Sequence, residues 1–341
     1  MSPLSLKRRP AGFTLVELMI AMVLGIMLVG GVSALFLSNK QSYGTNQSLG
    51  EVQDNTRIAF ELLARDIRQA GLTCNNNGRV TNVLNNAPPA GGTDWWADFA
   101  NAIRGYDNGV ADPAVTSGTG VAQRVASTDS IQLMGAGDTG LSVQSQNPAS
   151  ANVKINEQTA DLHDGDIIMI CDPDHAAIVQ ISNYNSSNVT LVHNTGNSVS
   201  PGNCAKDLGY PTNCGNGPGS YAFGPNSMIA VLKAVDWYIG NNAQGGRSLY
   251  RVTVGNVGGT PTASAQEMVR NVTDMQITYH RATTATYIDA TTVGAAANWT
   301  TVDAVQISLT FVSTDTRSTT TANQRLQRQM STIVTLRNRI T

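Results

Sequence analysis

Residues 13–37 form a predominantly apolar run in which Glu17 is the only ionisable side chain. At 1.5 Å per residue, a helix of this length extends for roughly 37 Å, which is enough to cross the hydrocarbon core of a bilayer. Lys7, Arg8 and Arg9 precede the run, and basic residues beside a membrane-spanning helix stay in the cytoplasm. The run therefore predicts one membrane-spanning helix, with the C-terminal bulk of the chain outside the cytoplasm.

Two features distinguish this run from a secretory signal peptide. A signal peptide has a shorter apolar region, which is followed by a small residue at the cleavage site. Here the small residue, Gly12, precedes the apolar run, so that cleavage there would leave the hydrophobic segment on the mature protein. In addition, the carboxylate of Glu17 costs about 3 kcal/mol at bilayer depth, and some other interaction must offset that cost.

Basic residues, Gly12, the segment Phe13-Thr14-Leu15-Val16-Glu17 and an apolar run follow one another in this order. This order resembles the class III signal of type IV pilins and type II secretion pseudopilins. The resemblance implies that a prepilin peptidase cuts between Gly12 and Phe13 and methylates the new amine of Phe13. It also implies that Glu17 pairs with the N-terminal amine of a neighbouring subunit, where each charge relieves the desolvation of the other. An ordinary signal anchor with an incidental acid is the alternative.

The helix is predicted to continue beyond the membrane up to a C-cap at Gly71. Small and apolar residues recur there every three or four positions, which is typical of one buried stripe on an amphipathic helix. The stripe consists of Leu49, Val52, Thr56, Ala59, Leu63, Ile67 and Ala70. The charged residues between them indicate solvated faces, and they are Glu51, Asp54, Arg57, Glu61, Arg65, Asp66 and Arg68.

The rest of the chain is predicted to be β-rich. Residues 73–128 are rich in turn formers and indicate a loop-dominated connection, packed by Trp95, Trp96 and Phe99. From residue 129, short β-branched runs alternate with turn residues; the segment SAQEMVRNVTDMQITYH indicates either a short helix leading into a strand or two strands. The predicted fold is α+β and pilin-like, with a leader (1–12), a helix (13–72), the connection (73–128) and a β-rich periplasmic domain (129–341).

The four cysteines contain no CxxC pair, and in an oxidising compartment they indicate two disulfides with three alternative pairings. We expect a Cys204–Cys214 bridge, which closes a short loop inside the Gly/Pro/Asn-rich surface segment 196–226. We expect a Cys74–Cys171 bridge, which ties the helix exit to the β domain.

Motifs of enzyme chemistry such as GxSxG, HExxH and GxxxxGK[ST] do not occur in the sequence. Asp172, Asp174 and His175 stand together in CDPDHA, where a turn between strands is favoured over a cation site. The formal net charge is −2, which gives no general support for nucleic-acid binding. We therefore predict a non-enzymatic protein without catalytic residues, cofactor, metal or nucleic-acid partner.

Three further segments are similar to the PilW family of large minor pilins: ARDIRQAGL (64–72), GDIIMICDPDHAAIVQIS (165–182) and the C-terminal TLRNRI (335–340). This resemblance implies an inner-membrane subunit that helps prime type IV pilus assembly and sits at or near the filament tip. The implied partners are other minor pilins, the major pilin, a tip-associated adhesin, the inner-membrane assembly platform and the prepilin peptidase. The alternatives are a J-type pseudopilin of a type II secretion system and a membrane-tethered extracytoplasmic binding domain.

Overall fold

A computed structural model describes residues 12, 14–72, 78–196, 198–214, 219–282, 284–316 and 324–337. It contains one long N-terminal helix and a β-rich C-terminal part, which is the predicted α+β, pilin-like class. The chain divides into two compact units. The first comprises Met1–Glu51 and Ser313–Leu326, and the second comprises Val52–Val312 and Gln327–Thr341.

Helix α1 runs from Leu15 to Gln69 and contributes residues to both units. In the first unit its large apolar side chains between Leu15 and Leu37 are exposed. The most apolar stretch of 18 residues in the helix contains no buried residue. By length and composition this part of the helix can cross a membrane. Farther along the helix, the Glu51 carboxylate accepts hydrogen bonds from the hydroxyl and the backbone N–H of Thr314, which holds the segment after residue 312 against the helix.

In the second unit, α1 buries the predicted stripe at Val52, Ala59, Leu63, Ile67 and Ala70. The helix ends as predicted at Gly71, whose φ of 71° is in the left-handed region that glycine adopts without strain. The N–H of Gly71 donates to the carbonyl of Met134 at 2.7 Å. The neighbouring Gly135 passes so close to the helix end that a Cβ atom would lie 2.5 Å from the Gln69 carbonyl oxygen.

The strands occur where β-branched runs alternate with turn residues. Their bounds are β1 Val80–Asn82, β2 Ile103–Tyr106, β3 Ser130–Asn147, β4 Asn152–Ile155, β5 Ile167–Cys171, β6 Ala176–Gln180, β7 Asn183–Asn185, β8 Thr190–Val192, β9 Met228–Asn241, β10 Arg247–Val257, β11 Thr260–Arg270, β12 Val272–Arg281, β13 Val302–Val312 and β14 Gln327–Thr335. A short helix, α2, spans Ala290–Ala295. The ambiguous segment SAQEMVRNVTDMQITYH thus forms two strands, β11 and β12.

Strand β9 is the axis of the larger sheet. One edge pairs with β3 along almost the whole strand. The other edge pairs first with β5 and then with β10, which continues into the β10–β11 hairpin. The smaller sheet has the order β12-β13-β14.

The main core contains the α1 stripe, the inner face of the smaller sheet, and Val235, Trp237 and Ile239 of β9. A second cluster covers the opposite face of β9, where Trp95, Trp96 and Phe99 are buried as predicted. Residues 73–128 contain two short strands, β1 and β2, among loops. One prediction about loops needs correction: segment 196–226 is only partly a surface loop, because Leu208 and Phe223 are buried in a third cluster.

Candidate functional site

Thr14 and Glu17 form a capping arrangement at the start of α1. The backbone N–H of Glu17 donates to the Thr14 hydroxyl oxygen at 3.3 Å, and this hydroxyl approaches a Glu17 carboxylate oxygen at 3.5 Å. The spacing is that of the T-x-x-E capping box, and a carboxylate in the first turn also interacts favourably with the positive end of the helix. The sequence carried this signal in Thr14-Leu15-Val16-Glu17, and our sequence analysis missed it.

Glu17 is exposed within the apolar surface of the first unit, where lipid or neighbouring helices have to cover the surrounding side chains. Its carboxylate can accept a second partner there, because the local contacts come from Thr14 alone among the described residues. Gly12 is exposed, and Phe13 lies outside the described residues. Cleavage between Gly12 and Phe13, and methylation of Phe13, therefore stay predictions.

One of the two predicted disulfides is present among the described residues. Cys204 and Cys214 are joined by a disulfide with a Cα–Cα distance of 5.3 Å. Cys171 is also disulfide-bonded. Cys74 lies outside the described residues, so its pairing with Cys171 stays a prediction.

The CDPDHA segment forms the predicted turn between β5 and β6. The Asp172 carboxylate accepts the backbone N–H groups of Asp174 at 2.9 Å and His175 at 2.8 Å, as expected for an Asx-type turn. It also accepts the Tyr221 hydroxyl at 2.7 Å. His175 is buried, with Nε2 2.5 Å from the Leu208 carbonyl oxygen. These contacts are structural, and the described part of the chain contains no cluster of three metal-ligating side chains.

Asp66 is not part of a solvated face, which corrects the sequence analysis. Its carboxylate accepts the indole N–H of Trp237 at 2.9 Å and the Nε–H of Arg251 at 2.8 Å. The Arg251 guanidinium also lies over the Trp237 ring, 5.8 Å from the centroid. The three side chains attach helix α1 to strands β9 and β10 within the second unit.

A buried guanidinium organises the loop between β2 and β3. Arg124 is 1% exposed, although it carries a permanent charge. Its Nη1 donates to the Val110 carbonyl at 2.9 Å, and its Nη2 donates to the carbonyls of Tyr106, Asp107 and Thr128 at 3.0, 3.2 and 2.6 Å. The guanidinium thus draws carbonyl oxygens from both ends of the loop to one centre. No pattern in the sequence indicates this centre, since the partners of Arg124 are backbone atoms.

Two buried carboxyl groups meet beside this loop. Asp112 accepts the Gln132 side-chain amide at 2.7 Å, the Ala114 N–H at 2.8 Å and the Ser130 hydroxyl. Asp236 lies against Asp112, and neither of its oxygens meets a donor among the described residues. Burial and the charge of Asp112 raise the pKa of Asp236 well above its ordinary value. A proton on Asp236 can then bridge the two carboxyls.

Two further buried groups have shifted pKa values. Burial raises the pKa of Asp129 to about 6, although the N–H of Ile277 stabilises its charge. Burial lowers the pKa of His193 to about 4. Both ring nitrogens of His193 are without a hydrogen-bond partner in the described part of the chain. The neutral imidazole therefore fits this position, and the charged one does not.

Comparison with known proteins gives two matches to protein families. Residues 7–33 match the prokaryotic N-terminal methylation motif, and residues 236–339 match the PilW family, described as type IV pilus-assembly protein W. Together the two matches support a type IV pilus minor pilin of the PilW family, as the resemblance of the sequence implied. No curated protein and no solved structure matches the chain significantly.

The two matches cover different parts of the chain. The methylation motif contains Gly12, Glu17 and most of the apolar run, which supports membrane anchoring and incorporation into a pilus. The PilW match begins at Asp236 within β9 and continues through β10–β14. It therefore includes Trp237 and Arg251, the two residues that bind Asp66. The family is one of structural pilin subunits.

Proposed function

We propose that this minor pilin helps prime type IV pilus assembly, sits at or near the filament tip and has no enzymatic activity. Before assembly, the helix anchors it in the inner membrane with the C-terminal domain in the periplasm. The observation that carries the proposal is Glu17, a carboxylate in the first turn of an exposed apolar helix that matches the methylation motif. A helix that served only as an anchor would gain nothing from this acid.

The capping contact suggests how Glu17 acts in two stages. In the isolated subunit, Thr14 and the helix N-terminus stabilise the carboxylate. The prepilin peptidase removes residues 1–12 and leaves an N-methylated amine on Phe13. During assembly, the amine of a neighbouring subunit approaches Glu17, and the two charges attract each other strongly in the water-poor surroundings. A subunit at the tip needs only one of its two contacts, through its amine or its carboxylate.

The partners follow from this position. The chain contacts other minor pilins and a tip-associated adhesin, with the major pilin below it and the assembly platform in the inner membrane. Adhesion and twitching motility are then properties of the assembled pilus.

The test substitutes Glu17→Ala in the full chain, with Glu61→Ala as the control at an exposed acid of the same helix. We expect normal protein levels but at least tenfold fewer surface pili, together with loss of co-purification with partner pilins. Immunogold labelling should place the wild-type protein at filament ends, and mass spectrometry should detect N-methylated Phe13. Wild-type piliation of the Glu17→Ala strain, or an N-terminus beyond residue 37, would contradict the proposal.

A secretion role is the alternative, and deletion of the gene distinguishes it from the pilus role. If deletion of the gene abolishes type II secretion and leaves pilus number unchanged, the chain acts as a J-type pseudopilin. The PilW match at residues 236–339 favours the pilus.

A further inference from the structure

The larger sheet splits along one edge of β9. Pairing with β5 ends at Val231, and pairing with β10 begins at Val235. Residues 232–234 pair with β3 on their other edge, where Lys233 lies opposite Gly135. Among the described residues, this short stretch of β9 has no neighbouring strand on the split side. An open strand edge of this kind can accept the backbone of an added peptide.

A cleft of about 330 Å³ opens at the split, on the side of helix α1. Leu62, Arg65 and Asp66 line it from the helix, while Lys233 and Arg251 line it from the sheet. A smaller cavity of about 80 Å³ lies at the split and is lined by Trp96 and Leu232. The larger cleft has the size of a site that takes a few side chains of a ligand.

The charges in the cleft do not cancel. Asp66 is the acid among the lining residues, and Trp237 and Arg251 already occupy its carboxylate. Arg65 and Lys233 are exposed and make no hydrogen bond or ion pair with the described residues. Two positive groups are thus available to a negatively charged ligand at the rim of the cleft.

The walls between these charges are apolar. Leu62 of α1 and Val254 and Met268 of the β10–β11 hairpin line the same cleft. An inorganic anion would use the cations but neither these walls nor the open edge of β9. A peptide uses all three, because it has a backbone, apolar side chains and carboxylates.

We propose that this cleft binds an extended acidic segment of a protein partner. One carboxylate of the segment lies between Arg65 and Lys233, an adjacent apolar side chain packs on Leu62 and Met268, and the backbone runs beside residues 232–234 of β9. This binding activity goes beyond the role of a pilin subunit and does not rest on Glu17. Its failure would leave the proposed function untouched.

The experiment uses the detergent-solubilised full chain, immobilised, and a library of acetylated, amidated heptapeptides. The central position is Asp, Glu, Asn or Gln, and the two flanking positions are Leu, Val, Ser or Thr. We expect Asp and Glu peptides with an apolar neighbour to bind at least tenfold more tightly than their amide counterparts. Arg65→Gln and Lys233→Gln should each remove most of this preference, and Arg65→Lys should retain part of it.

The controls are Arg68→Gln on the same helix and Lys154→Gln on β4, two exposed cations outside the cleft. They should bind like the wild type, and thermal unfolding should show that all variants are folded. Equal binding of acidic and amide peptides would overturn the proposal, as would a preference that survives both cleft substitutions. Competition by millimolar inorganic phosphate as effective as that of the peptide would show a simple anion site and overturn it as well.

Discussion

The carboxylate of Asp66, in the last turns of helix α1, lies 2.8 Å from Nε of Arg251 on β10, and the two residues are 185 positions apart in the sequence. Both side chains are largely buried, with exposed fractions of 13% and 27%. The pair thus has less competition from water than a surface ion pair, and the indole N–H of Trp237 depends on the same carboxylate.

We predict that Asp66→Ala lowers the free energy of unfolding of the second unit by about 2–4 kcal/mol. The substitution leaves a partly buried guanidinium and an indole N–H without their acceptor. Urea denaturation of the detergent-solubilised full chain, followed by tryptophan fluorescence, measures the change. Asp54→Ala, at an exposed acid of the same helix, should stay within about 0.5 kcal/mol. Equal effects of the two substitutions would show that the Asp66 contacts contribute no stability.

The Asp66 contacts mark the limit of what the sequence can predict. A spacing of three or four residues identified the buried stripe of α1, because that period is a local property of the helix. The same local pattern placed Asp66 among solvated acids, since nothing near residue 66 shows that Trp237 and Arg251 are its partners. Alternation likewise predicted β13, whereas the order of strands and the split beside β9 depend on long-range pairing.

The functional residues also divide into those that a local motif reveals and those that depend on contacts between distant parts of the chain. The signal around Gly12 and Glu17 is a short local motif, and it was sufficient to indicate the family. The Arg124 centre was not predictable, because its acceptors are backbone carbonyls that every residue carries. The Thr14–Glu17 cap, in contrast, is predictable from the T-x-x-E spacing alone, because that spacing is a local signal.

We predict that Arg124→Lys destabilises the loop between β2 and β3 by about 3 kcal/mol. Lysine has one ammonium group and cannot reach carbonyls at both ends of the loop in the geometry of a guanidinium. Hydrogen exchange of the amides of residues 107–128 should accelerate at least tenfold. Arg104→Lys, at an exposed arginine of β2, should leave exchange in this loop unchanged. Unaltered protection in Arg124→Lys would mean that other contacts order the loop.

We predict opposite outcomes for the two carboxyls that meet beside the loop. Asp236→Asn should change the free energy of unfolding at pH 7 by less than about 1 kcal/mol, because an amide donates to Asp112 as a protonated carboxyl does. Asp112→Asn should cost at least about 2 kcal/mol, since an amide cannot accept from Ser130, Gln132 and Ala114 together. Denaturation curves of the two variants measure both free energies of unfolding. A large loss of stability in Asp236→Asn would mean that the Asp236 carboxyl is ionised in the folded protein.

We predict that His193 weakens the fold at acid pH. Its pKa of about 4 in the folded chain lies below the ordinary value of 6.5. Between these two values the unfolded chain binds the proton and the folded chain does not, so that stability falls as the pH falls from 6.5 to about 4. The difference between the two pKa values corresponds to a loss of about 3 kcal/mol in the free energy of unfolding. His193→Leu should flatten this part of the stability profile, and His163→Gln, at an exposed histidine, should not.

We predict a disulfide between Cys74 and Cys171 in addition to the Cys204–Cys214 bond. Mass spectrometry of a non-reduced digest should yield a peptide that joins residues 74 and 171, and it should disappear on reduction. Substitution of both residues with serine should cost about 2–4 kcal/mol, because the bridge restricts the unfolded chain. A peptide that joins Cys74 to Cys204 or Cys214 would contradict the pairing.

The guanidinium of Arg124 gives the loop between β2 and β3 a cation that belongs to the chain itself. A loop that is organised by a dissolved cation orders and disorders with the concentration of that cation in the medium. The charge of Arg124 is covalently attached and stays ionised at every pH that the fold survives. Dilution, chelation and changes of ionic composition therefore leave its carbonyl contacts in place. For a subunit that moves from the membrane into a pilus, this centre of the loop therefore needs no ion from the solution around it.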